Sequence, residues 1–219
     1  MENRKKLLED EEEQNKLDWP GLNKYKKDNH ELSLESNPGN RIIFMGDSIT
    51  EGWSGLYPDF FLNKNYINRG ISGQTTPQML VRFRADVIDL NPSAVIILAG
   101  TNDIAENTGP SNVKMITDNI FSMSELAIAH NIKVMLCSIL PVYKYSWKEI
   151  LNPPLFISEV NNMIKSYCKN RGHQYVDYFS AMANQNKGLG KELSEDGVHP
   201  NRKGYKIMTN IIQGVLDHN

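Results

Sequence analysis

Arg41-Ile42-Ile43-Phe44-Met45-Gly46-Asp47-Ser48 decides the fold class. A short apolar run closed by a glycine reads as a buried strand that turns sharply into the next element. Four more runs of the same kind lie downstream: 66–68, 94–99, 133–140 and 174–178. The third strand candidate, Ala94 to Ala99, is apolar at every position, as a strand covered on both faces must be. Between these runs the spacing predicts helices at 76–90, 112–130, 156–171 and 202–217. In the second of them Val113, Ile116, Ile120 and Met123 recur at helical intervals. Asn91-Pro92 and Gly172 stand where helices should stop. Strands alternating with helices predict a parallel sheet of five strands in a three-layer α/β/α sandwich.

Residues 1–40 have a different character. They are rich in Lys, Glu and Asn, and are punctuated by Pro20-Gly21 and Pro38-Gly39. They read as a polar N-terminal helical extension, one or two helices wrapping the domain at 41–219. Their charge run reads as a solvated face.

The 219 residues carry 24 Lys+Arg against 26 Asp+Glu, and 40% are hydrophobic. An apolar share of that size fits a globular chain long enough to bury a core without disulfides or metals. The charge balance argues against a nucleic-acid binder, which carries a basic face. No apolar stretch approaches the ~20 residues of a membrane helix, so no membrane insertion is expected. Met1-Glu2-Asn3-Arg4-Lys5-Lys6 lacks the apolar core of a secretory signal. The sequence therefore reads as cytoplasmic, unless it begins after a removed leader. Cys137 and Cys168 are the two cysteines, and they read as small core hydrophobes. The oligomeric state is not legible.

In an open parallel sheet, ligands bind at the carboxyl ends of the strands. The polar residues expected there are Asp47-Ser48 after the first strand, Ser72-Gly73 after the second, and Thr101-Asn102-Asp103 after the third. Asp196-Gly197-Val198-His199-Pro200 precedes the last helix. Taken singly, Ser48 reads as a helix N-cap, Gly73 as a turn glycine and Asn102 as a turn former. Taken together they read as chemistry. A serine at a helix start needs a base to become a nucleophile. Of the five histidines, His199 is the best placed, because Asp196 three residues earlier can orient its ring. The Ser48 N–H, the Gly73 N–H and the Asn102 amide would serve as oxyanion donors. Asp47 and Asp103 read as loop-shaping residues.

The four blocks Gly46-Asp47-Ser48-Ile49-Thr50, Ile71-Ser72-Gly73-Gln74-Thr75, Gly100-Thr101-Asn102-Asp103 and Asp196-Gly197-Val198-His199-Pro200 resemble the SGNH (GDSL) hydrolase family in identity and order. The resemblance implies a flavodoxin-like fold and ester hydrolysis without a cofactor. It also implies a nucleophile at Ser48, a base at His199, an acid at Asp196 and oxyanion donors at Gly73 and Asn102. The expected substrate is a small-molecule ester, with a short acyl group such as acetyl on a carbohydrate or other polar alcohol. A lysophospholipase or thioesterase activity is the alternative. From another class stands a non-catalytic flavodoxin-like binding module that holds a phosphate or flavin at the same rim. Trp53 and the loop 141–154, with Tyr143, Tyr145 and Trp147, offer aromatic side chains for substrate contacts, or for packing alone.

Overall fold

All five residues of Ala94–Leu98 are buried, and this strand is the middle of the sheet. The computed structural model describes residues 17–35, 40–63 and 65–218. Its strands are β1 (Ile42–Gly46), β2 (Tyr66–Gly70), β3 (Ala94–Leu98), β4 (Lys133–Cys137) and β5 (Gln174–Val176). They lie in the order β2-β1-β3-β4-β5 and every pairing is parallel. Each crossover therefore carries helices, as parallel neighbours require.

The helices are α1 (Lys26–Leu34), α2 (Ser48–Leu56), α3 (Thr76–Asp86), α4 (Thr101–Ile104), α5 (Val113–Ala129), α6 (Pro153–Arg171), α7 (Tyr178–Met182) and α8 (Arg202–Asp217). Alternate residues of each strand face opposite sides, so the core divides in two. Ile43, Met45, Val95, Ile97, Val134 and Leu136 meet α3, α5 and α6 on one face. Phe44, Ile96, Leu98 and Met135 meet α2, α7 and α8 on the other. Cys168 and Cys137 are buried and unpaired, one in each of these layers.

Element ends differ from the sequence expectation where local capping intervenes. The fourth strand stops at Cys137 and the fifth at Val176. Tyr178 belongs to a helix because the Asp177 carboxylate accepts from the Ser180 N–H at 2.9 Å and starts one. The helix expected at 76–90 breaks at Asp86 into a separate 3-10 turn, Ile88–Leu90, before Asn91 in the left-handed region. In the N-terminal extension one helix, α1, is described, and none of its residues is buried. The expectation for residues 1–16 and 36–39 lies outside the described residues.

The rim is level where the chemistry is expected. Gly46 pairs with both Gly70 and Leu98, so the loops after β1, β2 and β3 leave the sheet side by side. A Cβ on Gly46 would lie 2.1 Å from Thr50 Oγ1 and 2.8 Å from the Leu98 carbonyl oxygen. Glycine is thus what lets α2 start immediately beyond the strand.

Candidate active site

Asp47 caps α2: its Oδ1 accepts from the Ile49 N–H at 2.9 Å. That cap leaves Ser48 as the first helical residue, half-buried at the rim, in the field of a helix N-terminus. The Ser48 hydroxyl lies 2.8 Å from His199 Nε2. His199 Nδ1 lies 2.6 Å from Asp196 Oδ2. The Asp196 carboxylate is itself fixed, since its Oδ1 accepts from the Val198 N–H at 2.9 Å and the His199 N–H at 2.8 Å. Ser194 adds a further donor at 3.1 Å, and its hydroxyl accepts from the Gly197 N–H at 2.9 Å. A four-residue segment thus folds around its own carboxylate and aims the imidazole at Ser48.

This wiring sets the electrostatics. Burial pushes the Asp196 carboxyl up, but the bonds from the His199 ring and from the His199 and Val198 N–H groups outweigh it and hold it at about 2. Asp196 is therefore ionised throughout the neutral range. Asp47 behaves in the opposite way. Complete burial pushes it up to about 7, although the Ile49 N–H and His199 pull it down. Its task is the cap, as expected of a loop-shaping residue.

Gly73 has φ +76, and a Cβ there would meet nothing closer than Asn107 Nδ2 at 3.9 Å. The left-handed backbone, not crowding, is what calls for glycine at this position. Among the described residues, neither the Ser48 nor the Gly73 N–H donates to a protein acceptor. Asn102 is buried; its Nδ2 donates to the Gln74 carbonyl at 3.0 Å and its Oδ1 accepts from Asn107 Nδ2 at 3.0 Å. One amide N–H is thus spent on the loop that carries Gly73. The Asp103 carboxylate accepts from the Thr76 N–H and hydroxyl and ties α4 to the start of α3.

The aromatic candidates separate. Trp53, expected among substrate contacts, is only 1% exposed and stacks on Phe60 at 5.2 Å, with Tyr205 at 5.8 Å. It faces the core between α2 and α8 and is closed to a substrate. Tyr145 is also buried, with its hydroxyl 2.9 Å from that of Thr101. Tyr143 is exposed and lies against Gly188. Trp147 lies at the site: its ring stacks toward that of His199 at 6.4 Å. A groove of 340 Å³ lined by Leu56, Glu195, Asp196, His199, Pro200 and Asn201 opens beside the imidazole. Sequence reasoning does not single out Ser194, Gln74 or Asn107. A serine two residues before the Asp-x-x-His segment is the one local signal for any of them.

A family profile described as GDSL-like lipase/acylhydrolase matches residues 44–207. The chain belongs to that family. A GDSL-like lipase of Bacteroides thetaiotaomicron superposes with a TM-score of 0.88 at 44% identity, over 91% of this chain and 98% of that one. An acetylxylan esterase of Xylanibacter ruminicola is 25% identical over 218 residues, which cover 80% of this chain and 43% of that protein. This GDSL chain therefore spans less than half the length of that relative. An arylesterase of Vibrio mimicus is 26% identical over 182 residues, 77% of this chain and 84% of that protein. Among the described residues, no helix of this GDSL family member is long and apolar enough to cross a membrane. No group of three or more His, Cys, Asp or Glu residues among them could hold a metal ion.

Proposed function

We propose that the protein is a serine ester hydrolase that removes a short acyl group, acetyl above all, from a carbohydrate or similar polar alcohol. The observation that carries this reading is the unbroken relay from Ser48 Oγ to His199 Nε2 at 2.8 Å and from His199 Nδ1 to Asp196 Oδ2 at 2.6 Å.

Ser48 Oγ attacks the ester carbonyl carbon while its proton passes to His199 Nε2. The carbonyl oxygen takes the negative charge and is met by the Ser48 and Gly73 N–H groups and the Asn102 amide. Asp196 stabilises the imidazolium. When the tetrahedral intermediate collapses, the C–O bond to the alcohol breaks and His199 returns its proton to the leaving oxygen. Water then attacks the acyl-serine, gives a proton to His199, and the acid departs as Ser48 regains its hydrogen. His199 must be neutral to start either half, because its Nε2 has to accept the proton from Ser48 or from water.

The short acyl group is supported by the indole of Trp147 beside His199 and by the likeness to the acetylxylan esterase. Hydrolysis of p-nitrophenyl acetate, butyrate and octanoate, followed by acetylated xylan oligosaccharides, tests it. Rates should fall as the chain lengthens, and acetate should be released from the oligosaccharides. A preference for octanoate would overturn the short-acyl assignment in favour of lipid or thioester substrates.

A further inference from the structure

The matched family region begins at residue 44, yet residues 18–25 are fastened to the loop that carries Gly73. The segment is stiff in itself. Asp18 Oδ1 and Oδ2 accept from the Leu22 and Asn23 N–H groups at 2.8 and 2.7 Å. The Gly21 N–H donates to the Asp18 carbonyl at 2.9 Å. From this turn, bonds run to both sides of Gly73. The Tyr25 hydroxyl donates to the Gly70 carbonyl. Lys24 pairs with Glu51 at 2.9 Å, and the same carboxylate accepts from the Ser72 N–H at 2.8 Å. The Pro20 carbonyl accepts from Gln74 Nε2 at 2.7 Å. A Cβ on Gly21, whose φ is +71, would lie 2.9 Å from that same Nε2, so the Gly21 backbone and the Gln74 side chain are in close contact.

Gln74 is where the segment meets the chemistry. It is buried, and its Oε1 accepts from Arg82 Nε at 2.6 Å. Arg82 in turn donates to the Gly46 carbonyl at 3.0 Å, two residues before Ser48. The Gln74 backbone carbonyl accepts from the Asn102 amide at 3.0 Å. One residue therefore links the N-terminal segment, the turn before the nucleophile and the Asn102 donor, and it directly follows Gly73.

We propose that residues 18–25 act as a fixed strap that sets the oxyanion loop, with Gln74 as the positioning residue through which it works. This rests on the serine-hydrolase reading above. Oxyanion donors act through placement, and an error of about 1 Å in a reacting geometry costs up to about 100-fold in rate. A loosened strap should therefore lower transition-state stabilisation while leaving ground-state binding nearly intact.

The test compares wild type with Gln74→Ala, Gly21→Val and the milder Lys24→Ala/Tyr25→Phe pair. Each is assayed with p-nitrophenyl acetate and for inhibition by phenylboronic acid, whose tetrahedral adduct on Ser48 places an oxygen among the donors. The expected result is a kcat lower by about 10- to 100-fold with KM little changed. The phenylboronate inhibition constant should rise by a similar factor, most for Gln74→Ala and least for the double variant. If Gly21→Val does not fold, the double variant carries the comparison. Folded variants with wild-type kcat, or with lowered kcat and an unchanged inhibition constant, would overturn the strap. A wild-type protein whose hydrolysis does not depend on Ser48 would overturn the hydrolase reading itself.

Discussion

The Trp147 indole and the His199 imidazole lie 6.4 Å apart with 29° between their planes. The indole Nε1–H also reaches Asn107 Oδ1 at 3.4 Å. Lys148, the next residue, pairs with Glu106 at 2.9 Å. The loop after β4 is thereby tethered to the segment after α4, and its tryptophan becomes a wall beside the His199 imidazole.

Truncating that wall should change selectivity more than folding. Trp147 is 46% exposed, so Trp147→Ala creates no core cavity. The ratio of kcat/KM for p-nitrophenyl butyrate over acetate should rise several-fold, since the added room favours the longer acyl group. An unchanged ratio would remove Trp147 from the acyl site.

Asn107 orients the amide of Asn102 by occupying its Oδ1, and also donates to the Gly73 carbonyl at 3.2 Å. If Asn102 donates to the oxyanion, Asn102→Ala should lower kcat by about 100- to 1000-fold. Asn107→Ala keeps the donor but frees its rotation, and should cost about 10-fold. Because Asn107 also braces the Gly73 carbonyl, the double variant should be slower than Asn102→Ala alone, but by less than the product of the two single losses. Additive losses would mean that Asn107 works elsewhere.

The buried Asp47 carries a pH signature. Its carboxyl titrates at about 7 in the folded protein, against about 4 in an unfolded chain. Between those values the folded state holds a proton that the unfolded state has released, so stability falls as pH rises. Asn can keep the acceptor that caps Ile49 without ever ionising. Relative to wild type, Asp47→Asn should therefore gain melting temperature as pH rises from about 4 to about 7. A constant difference across that range would show that Asp47 does not titrate there.

A second buried charge sits in an ion pair. Arg82 and Asp86 are 0% and 1% exposed and meet at 2.8 Å, and Asn29 also donates to Asp86 at 2.6 Å. Asp86→Ala leaves a guanidinium buried without its main counter-charge, at a cost of about 3–5 kcal/mol. Urea unfolding should show that loss. A change below about 1 kcal/mol would mean that the pair is solvated in solution.

How much of this is legible in the sequence depends on how local each signal is. The sheet is legible because strands covered on both faces are apolar throughout, as Ala94–Leu98 is. Asp196 and His199 are legible as a pair because three residues separate them, and Ser48 because its block resembles that of a known family; the structure brings the three into hydrogen-bond contact. Trp53 is the contrary case, a core residue that the sequence offers as a substrate contact. An aromatic residue just over a turn beyond a rim serine reads alike whether it faces cleft or core, and the packing of α8 on α2 decides the matter. Gln74 and Asn107 are hidden for a similar reason. Pro20, the partner of Gln74, lies 54 residues away and Trp147, the partner of Asn107, 40 residues away, and tertiary structure alone brings them together.

The most direct measurement is hydrolysis of p-nitrophenyl acetate by wild type and by Ser48→Ala, at equal concentration and verified folding. If Ser48 is the nucleophile, the variant should lose roughly a thousandfold or more, within the range seen when a catalytic serine is removed. Equal rates in the two proteins would reduce Ser48 to a helix-terminal residue and contradict the mechanism.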